Sequence, residues 1–156
     1  MIEQVSNSVL QGSPAVPVVV LVEPCDEVFD RMKECFATAG FRVARARDSS
    51  QAIKGYLRES ADLLVVNADQ TVETAWLLAA KLRLTHPAAR IWVYICRPST
   101  FDIAAANLLE IEELIEFGPK AADLQSQVMD RLGVSADRKV PGSGSPTGSS
   151  PVEAAA

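Results

Sequence analysis

Two polar residues close apolar runs in this chain. Glu23 follows Val18-Val19-Val20-Leu21-Val22, and Asn67 follows Leu63-Leu64-Val65-Val66. Short apolar runs rich in β-branched residues and bounded by polar ones predict strands buried on both faces of a parallel sheet. In such sheets ligands and chemistry gather beyond the carboxyl ends of the strands, so a carboxylate and an amide are expected around one crevice. Glu23 could touch a hard cation, but the amide offers only a neutral oxygen, so that binding would be weak. Cys25 lies in the same loop near the start of a helix and is a candidate reactive thiol. With no histidine or second cysteine implied beside it, a packed or bystander thiol is the favoured reading.

Other chemistries lack their parts. The one histidine, His86, stands in Leu84-Thr85-His86-Pro87, a helix-ending context, which leaves no histidine triad and no histidine-rich metal site. Cys25, Cys35 and Cys96 are odd in number and form no C-x-x-C pair, which argues against a disulfide framework or a thiolate zinc site and suits a reducing cytoplasm. No cofactor is expected. Glu23-Pro24-Cys25-Asp26 puts a carboxylate where a flavin phosphate would sit, and no G-x-G-x-x-G joins the first strand to the first helix. With 15 basic against 20 acidic residues, a net charge of -5 disfavours nucleic acid. The run ending at Val22 is too short to cross a membrane, and the N-terminus carries Glu3 without a basic cluster, so a soluble, unexported chain is expected.

The elements that must position these residues follow from periodicity. Strands are predicted at 16–22, 41–46, 62–67, 91–95 and 113–117, and helices at 26–40, from 49, at 72–84, 100–109 and 121–132. The first helix is read with Asp26 as N-cap, Gly40 as terminator, and Phe29, Met32, Phe36 and Ala39 inward. Ser49 or Ser50 caps the second, with Ala52, Ile53, Tyr56 and Leu57 inward. Val72, Ala75, Trp76, Ala79 and Leu82 face inward in the third, Arg97-Pro98-Ser99-Thr100 supplies a turn and a cap for the fourth, and Gly133 can close the fifth. Residues 1–15 read as a flexible lead-in, 16–132 as one folded domain, and 133–156 as a Gly/Ser/Pro/Ala tail too poor in apolar surface to order. Five strands alternating with five helices give an α/β fold: a doubly wound five-stranded parallel sheet of flavodoxin-like order 2-1-3-4-5. The alternating 41–46 segment suits a strand near the edge.

Val-Val-Leu-Val-Glu-Pro at the first strand, Ala61-Asp-Leu-Leu-Val-Val-Asn67 at the third and Phe-Gly-Pro after the fifth resemble the CheY-like receiver domain of bacterial response regulators, in a degenerate form. The spacing from Glu23 to Asn67, Ile95 and Gly118 is about that of the family's site residues. The resemblance implies an aspartate ending the third strand that takes a phosphoryl group from a histidine kinase, an acidic pair ending the first strand for magnesium, a Ser or Thr ending the fourth strand and a Lys-Pro pair after the fifth. Here Asn67 stands at the phospho-acceptor, Glu23 and Pro24 at the acidic pair, Ile95 at the hydroxyl and Gly118 at the lysine. An amide is no nucleophile for phosphoryl transfer, and magnesium should bind weakly or not at all. Asp26, Asp69, Ser99, Thr100 and Lys120 lie near the vacated positions and read as caps or solvated loop residues.

The expected function is therefore a non-enzymatic, phosphorylation-independent signalling module that binds a protein partner or a second copy of itself. The resemblance implies an interface on the face made by the fourth helix, fifth strand and fifth helix, with Leu108, Glu112, Leu114 and Glu116 as candidates. Two alternatives remain: a phosphorelay receiver with a displaced acceptor, Asp69 or Asp62, and an enzyme or small-molecule sensor using Glu23, Asn67 and Cys25.

Overall fold

A computed structural model describes residues 15–69 and 74–133. Among them five parallel strands alternate with five helices: β1 (Val18–Val22), α1 (Asp26–Thr38), β2 (Arg42–Ala46), α2 (Ser49–Arg58), β3 (Leu63–Asn67), α3 (Ala75–Thr85), β4 (Ile91–Ile95), α4 (Thr100–Leu108), β5 (Glu113–Glu116) and α5 (Ala121–Arg131). The sheet order is β2-β1-β3-β4-β5, as expected. The three central strands are buried along their whole length, which is why they read as unbroken apolar runs. The edge strands β2 and β5 are only partly buried and keep polar positions.

Side-chain alternation divides the core between the two faces of the sheet. Val20, Val22, Leu64, Val66, Ile91 and Val93 pack with Tyr56 of α2 and Leu78 and Leu82 of α3. Val19, Leu21, Leu63, Val65, Trp92 and Tyr94 pack with Phe29, Met32 and Phe36 of α1 and Leu124 and Val128 of α5. The register pairs Val22 with Val66 and Asn67 with Tyr94. One residue further along β1, Glu23 draws level with Asn67, so Glu23, Asn67 and Tyr94 form a row across three strands on the face covered by α1 and α5.

Several local expectations are corrected. β1 begins at Val18 rather than 16, and Val16 is exposed. Cys25, not Asp26, is the N-cap of α1, and it makes no side-chain cap bond. Asp26 is the first helical residue and its carboxylate is committed elsewhere. Asp48 caps α2 by accepting from the Gln51 N–H at 2.8 Å, leaving Ser49 and Ser50 inside the helix. α3 starts at Ala75 behind Thr74, and the expected inward Val72 lies outside the described residues. Leu57 is half exposed instead of inward, because α2 turns Ala52, Gly55 and Tyr56 to the sheet.

Other caps follow the sequence. Gly40 closes α1 at φ +93°, a conformation that glycine adopts without the steric cost other residues meet. Ser99 and Asp102 form a reciprocal capping box at α4, and His86 is the C-cap of α3.

Candidate functional site

Glu23 is fully buried, yet its carboxylate is not short of partners. Oε1 accepts from Asn67 Nδ2 at 2.6 Å and from the Tyr94 hydroxyl at 2.6 Å, and Oε2 accepts from the Cys25 N–H at 2.9 Å. The Asn67 amide is used at both ends: its Oδ1 accepts from the Asp69 N–H at 2.8 Å, closing a turn over the end of β3. Asp69 Oδ2 then accepts from the Cys96 N–H at 2.8 Å and so ties the loop after β3 to the loop after β4. The loops at Glu23, Asn67 and Ile95 thus meet as expected, and their polar atoms satisfy one another. A buried carboxylate taking three donors is the arrangement that makes its burial tolerable.

The loop after β1 is also clamped from β2. The Arg45 guanidinium donates to the Glu23 carbonyl at 3.0 and 3.2 Å and to the Pro24 carbonyl at 3.3 Å. It also pairs with Asp26 at 2.7 Å and lies 4.4 Å from the centre of the Phe29 ring. Arg47 adds a second contact to Asp26 at 3.2 Å. The Arg45 hydrogen bond and charge hold the Asp26 carboxyl below its ordinary pKa, so Asp26 is an anchor for the loop and does not restore charge to the crevice.

The remaining candidates are placed as follows. Ile95 is buried and brings no polar atom, and its carbonyl accepts from the Phe117 N–H. At Gly118 a Cβ would come within 2.7 Å of Asp123 Oδ2, the end of a side chain that would have to shift to admit it. Ser99 is spent on its cap, Thr100 begins α4, and Lys120 is the N-cap of α5 without a side-chain cap bond. Cys25 and Cys96 are free, half-buried thiols, and Cys35 is buried, its pKa pushed up by desolvation. Asp62 sits at the opposite end of β3 and accepts from the Val18 N–H at 2.8 Å, so as a displaced acceptor it is misplaced by the length of the strand. Of the interface candidates, Leu108 and Glu116 are exposed, Leu114 packs half-buried against the core, and Glu112 is held by Arg90 and by Trp92 Nε1.

Sequence reading missed Tyr94 and Arg45. Tyr94 is hidden inside an apolar run, and only the register of β4 on β3 sets it beside Asn67. Its hydroxyl pKa is raised well above the ordinary value, first by burial and then by the charge of Glu23, which keeps the phenol a donor. A phenol with a folded-state pKa above its unfolded one contributes stability that is complete below about pH 10 and is lost as pH rises beyond it. Tyr94→Phe is expected to remove Tyr94's part of that alkaline loss, leaving the smaller contribution of Tyr56, whose pKa burial also raises. At neutral pH the variant should be about 1–3 kcal/mol less stable, because one hydrogen bond to a charged group is gone. Thermal midpoints of both proteins across the alkaline range check it.

No family model matches the sequence, and no curated protein matches it. Solved structures do resemble its fold. A receiver domain protein from Methanospirillum hungatei superimposes with a TM-score of 0.64 at 13% identity, covering 76% of this chain and 95% of the other. The chemotaxis protein CheY4 of Vibrio cholerae gives 0.65 at 14% identity, with 76% and 99% covered. The phosphorylated cyanobacterial phytochrome response regulator RcpA gives 0.66 at 18% identity, with 83% and 100% covered. The chain has the fold of CheY-like response regulator receiver domains.

Proposed function

From a receiver fold whose strand-end site is closed on itself, we infer a phosphorylation-independent signalling module that works through protein contact and performs no catalysis of its own. The observation that carries this reading is the buried Glu23 carboxylate, engaged by Asn67, Tyr94 and the Cys25 N–H. A receiver that accepts phosphate needs a nucleophilic carboxylate, a cation and donors aimed at the phosphoryl oxygens. Here the acceptor position holds an amide, and the hydroxyl position holds Ile95. The lysine position holds Gly118.

Magnesium, which the resemblance implies, does not suit these residues. Every Glu23 oxygen already faces a donor, Asn67 Oδ1 is taken by the loop, and Pro24 contributes only a backbone carbonyl that Arg45 occupies. Among the described residues no cluster of three or more His, Cys, Asp or Glu stands ready for a metal, and no helix is long and apolar enough to cross a membrane. A cytoplasmic signalling role, with a protein rather than a nucleic acid or lipid as partner, fits this set of features and the free thiols.

The test is intact-mass measurement after incubation with a small acyl phosphodonor and magnesium, run beside Asp69→Asn. No phosphoryl adduct is expected on the wild type. A stoichiometric adduct that Asp69→Asn abolishes would replace this reading with a displaced-acceptor receiver, since Asp69 is exposed at the crevice mouth. A small molecule retained through purification would favour the sensor reading instead.

A further inference from the structure

α4 is an apolar helix that the fold leaves largely uncovered. Of its nine residues only Ala106 is fully buried, while Phe101 is 69% and Leu108 82% exposed. Phe101, Ala104, Ala105 and Leu108 follow the i, i+3, i+4, i+7 spacing of one helix face. Together with Trp76 of α3 and Leu109 they line a groove of about 300 Å³ between α3 and α4. Trp76 Nε1 donates to Asp102 Oδ1 at 2.9 Å, which spans the two helices and spends the one charge that α4 carries. A small-molecule site of this size would place a few convergent polar groups among its apolar walls, and these walls present almost none.

We propose that this face pairs with the same face of a second copy of the chain, α4 lying antiparallel to α4 across a two-fold axis. Two features favour a copy over another partner. The stripe is self-complementary: a two-fold axis through Ala104 and Ala105 sets Phe101 of each copy against Leu108 of the other, with the alanines allowing the helices to approach closely. The stripe is also uncharged in a chain of net charge -5, so two copies meet there without like charges in contact, whereas a basic partner would find no acidic complement on it.

This surface departs from the one the sequence suggested. On the β5 side Glu112 is held by Arg90 and Trp92, and Leu114 packs half-buried against the core, so the free apolar area lies on the α3 side of α4. A nine-residue helix is only about 13 Å long, so the interface falls short of the roughly 1,200–2,000 Å² of a standard stable complex and the dimer should be weak and reversible.

Sedimentation velocity of the full chain from roughly 10 µM to 1 mM tests this, the range in which a sub-standard interface assembles. The expected result is a rise from monomer toward dimer that strengthens with added salt, because salt screens the repulsion between two acidic copies. Leu108→Glu and Phe101→Glu, both at exposed positions, should each remain monomeric with unchanged circular dichroism. Leu84→Glu, exposed at the end of α3 outside the groove, should dimerise like the wild type. Mixing Phe101→Lys with Leu108→Glu should restore a heterodimer, since the antiparallel arrangement brings those positions together. A wild type that stays monomeric throughout, a dimer that survives Leu108→Glu, or one that salt dissolves would overturn the proposal. The proposal gives the protein-contact reading its partner. Failure here leaves the phosphodonor result untouched, so the two can fail separately.

Discussion

Glu23→Ala is expected to lower the stability of the fold by about 3 kcal/mol or more, an effect of roughly 10 °C on the thermal midpoint for a domain of this size. Truncation removes the acceptor for three donors at once. Asn67 Nδ2 and the Tyr94 hydroxyl are buried with their residues and have no other hydrogen-bond partner among the described residues, while the Cys25 N–H is half-buried and can turn to water. Each buried donor left unsatisfied costs about 1–3 kcal/mol, and the space vacated by the side chain adds to that. Glu23→Gln should cost less, about 1–2 kcal/mol, because its carbonyl oxygen still accepts from Asn67 and Tyr94 while its amide group must face the Cys25 N–H. Urea unfolding of the three proteins decides the matter. If Glu23→Ala lies within about 1 kcal/mol of the wild type, the carboxylate is not the hub of a closed site and its oxygens are free for a ligand.

Asn67→Asp is nearly isosteric, yet it is expected to destabilise the protein by about 3 kcal/mol at neutral pH. The donor Nδ2, 2.6 Å from Glu23 Oε1, becomes a carboxylate oxygen, so two acceptors of like charge share a buried site. Such a pair relieves itself by keeping a proton, which raises its folded-state pKa above the unfolded value near 4. The sign follows from linkage: the penalty is full above the raised pKa, shrinks as pH falls through it, and vanishes below about pH 4, where the carboxyl is protonated folded or unfolded. Thermal midpoints of variant and wild type measured from neutral pH downward should therefore converge. A gap that stays constant with pH would mean that packing, not charge, is responsible.

The same substitution is not expected to restore a switch, because neither Ile95 nor Gly118 can hold a phosphoryl group or couple it to loop movement. Ready phosphorylation of Asn67→Asp, with a change in association state, would reveal a switch silenced by a single residue and would replace the phosphorylation-independent reading.

What the sequence determined by itself was the period and therefore the layers. Apolar runs rich in β-branched residues at 18–22, 63–66 and 91–95, too short for helices, predict strands covered on both faces, and short parallel strands separated by helices leave few sheet orders open. Glu23 and Asn67 were legible as strand-end positions because the polar residue that ends such a run must lie at the strand's carboxyl end. Gly40, and a cap within 97–100, were legible because a cap is a bond or a dihedral within a few residues of itself. The cap of α2 was read one or two residues late, at Ser49 or Ser50, because Asp48, Ser49 and Ser50 are all capable and the backbone chooses among them.

The tertiary structure alone decided what the site became. Glu23 bonds to residues 44 and 71 positions away, and Arg45 reaches back 22 positions to hold the loop, distances at which local pattern carries no signal. Whether the Glu23 carboxylate turned out toward a cation or inward depended on which side chain β4 delivered next to Asn67. Tyr94 delivers a hydroxyl into an apolar layer, where a donor and a carboxylate each lack water and are stable only together.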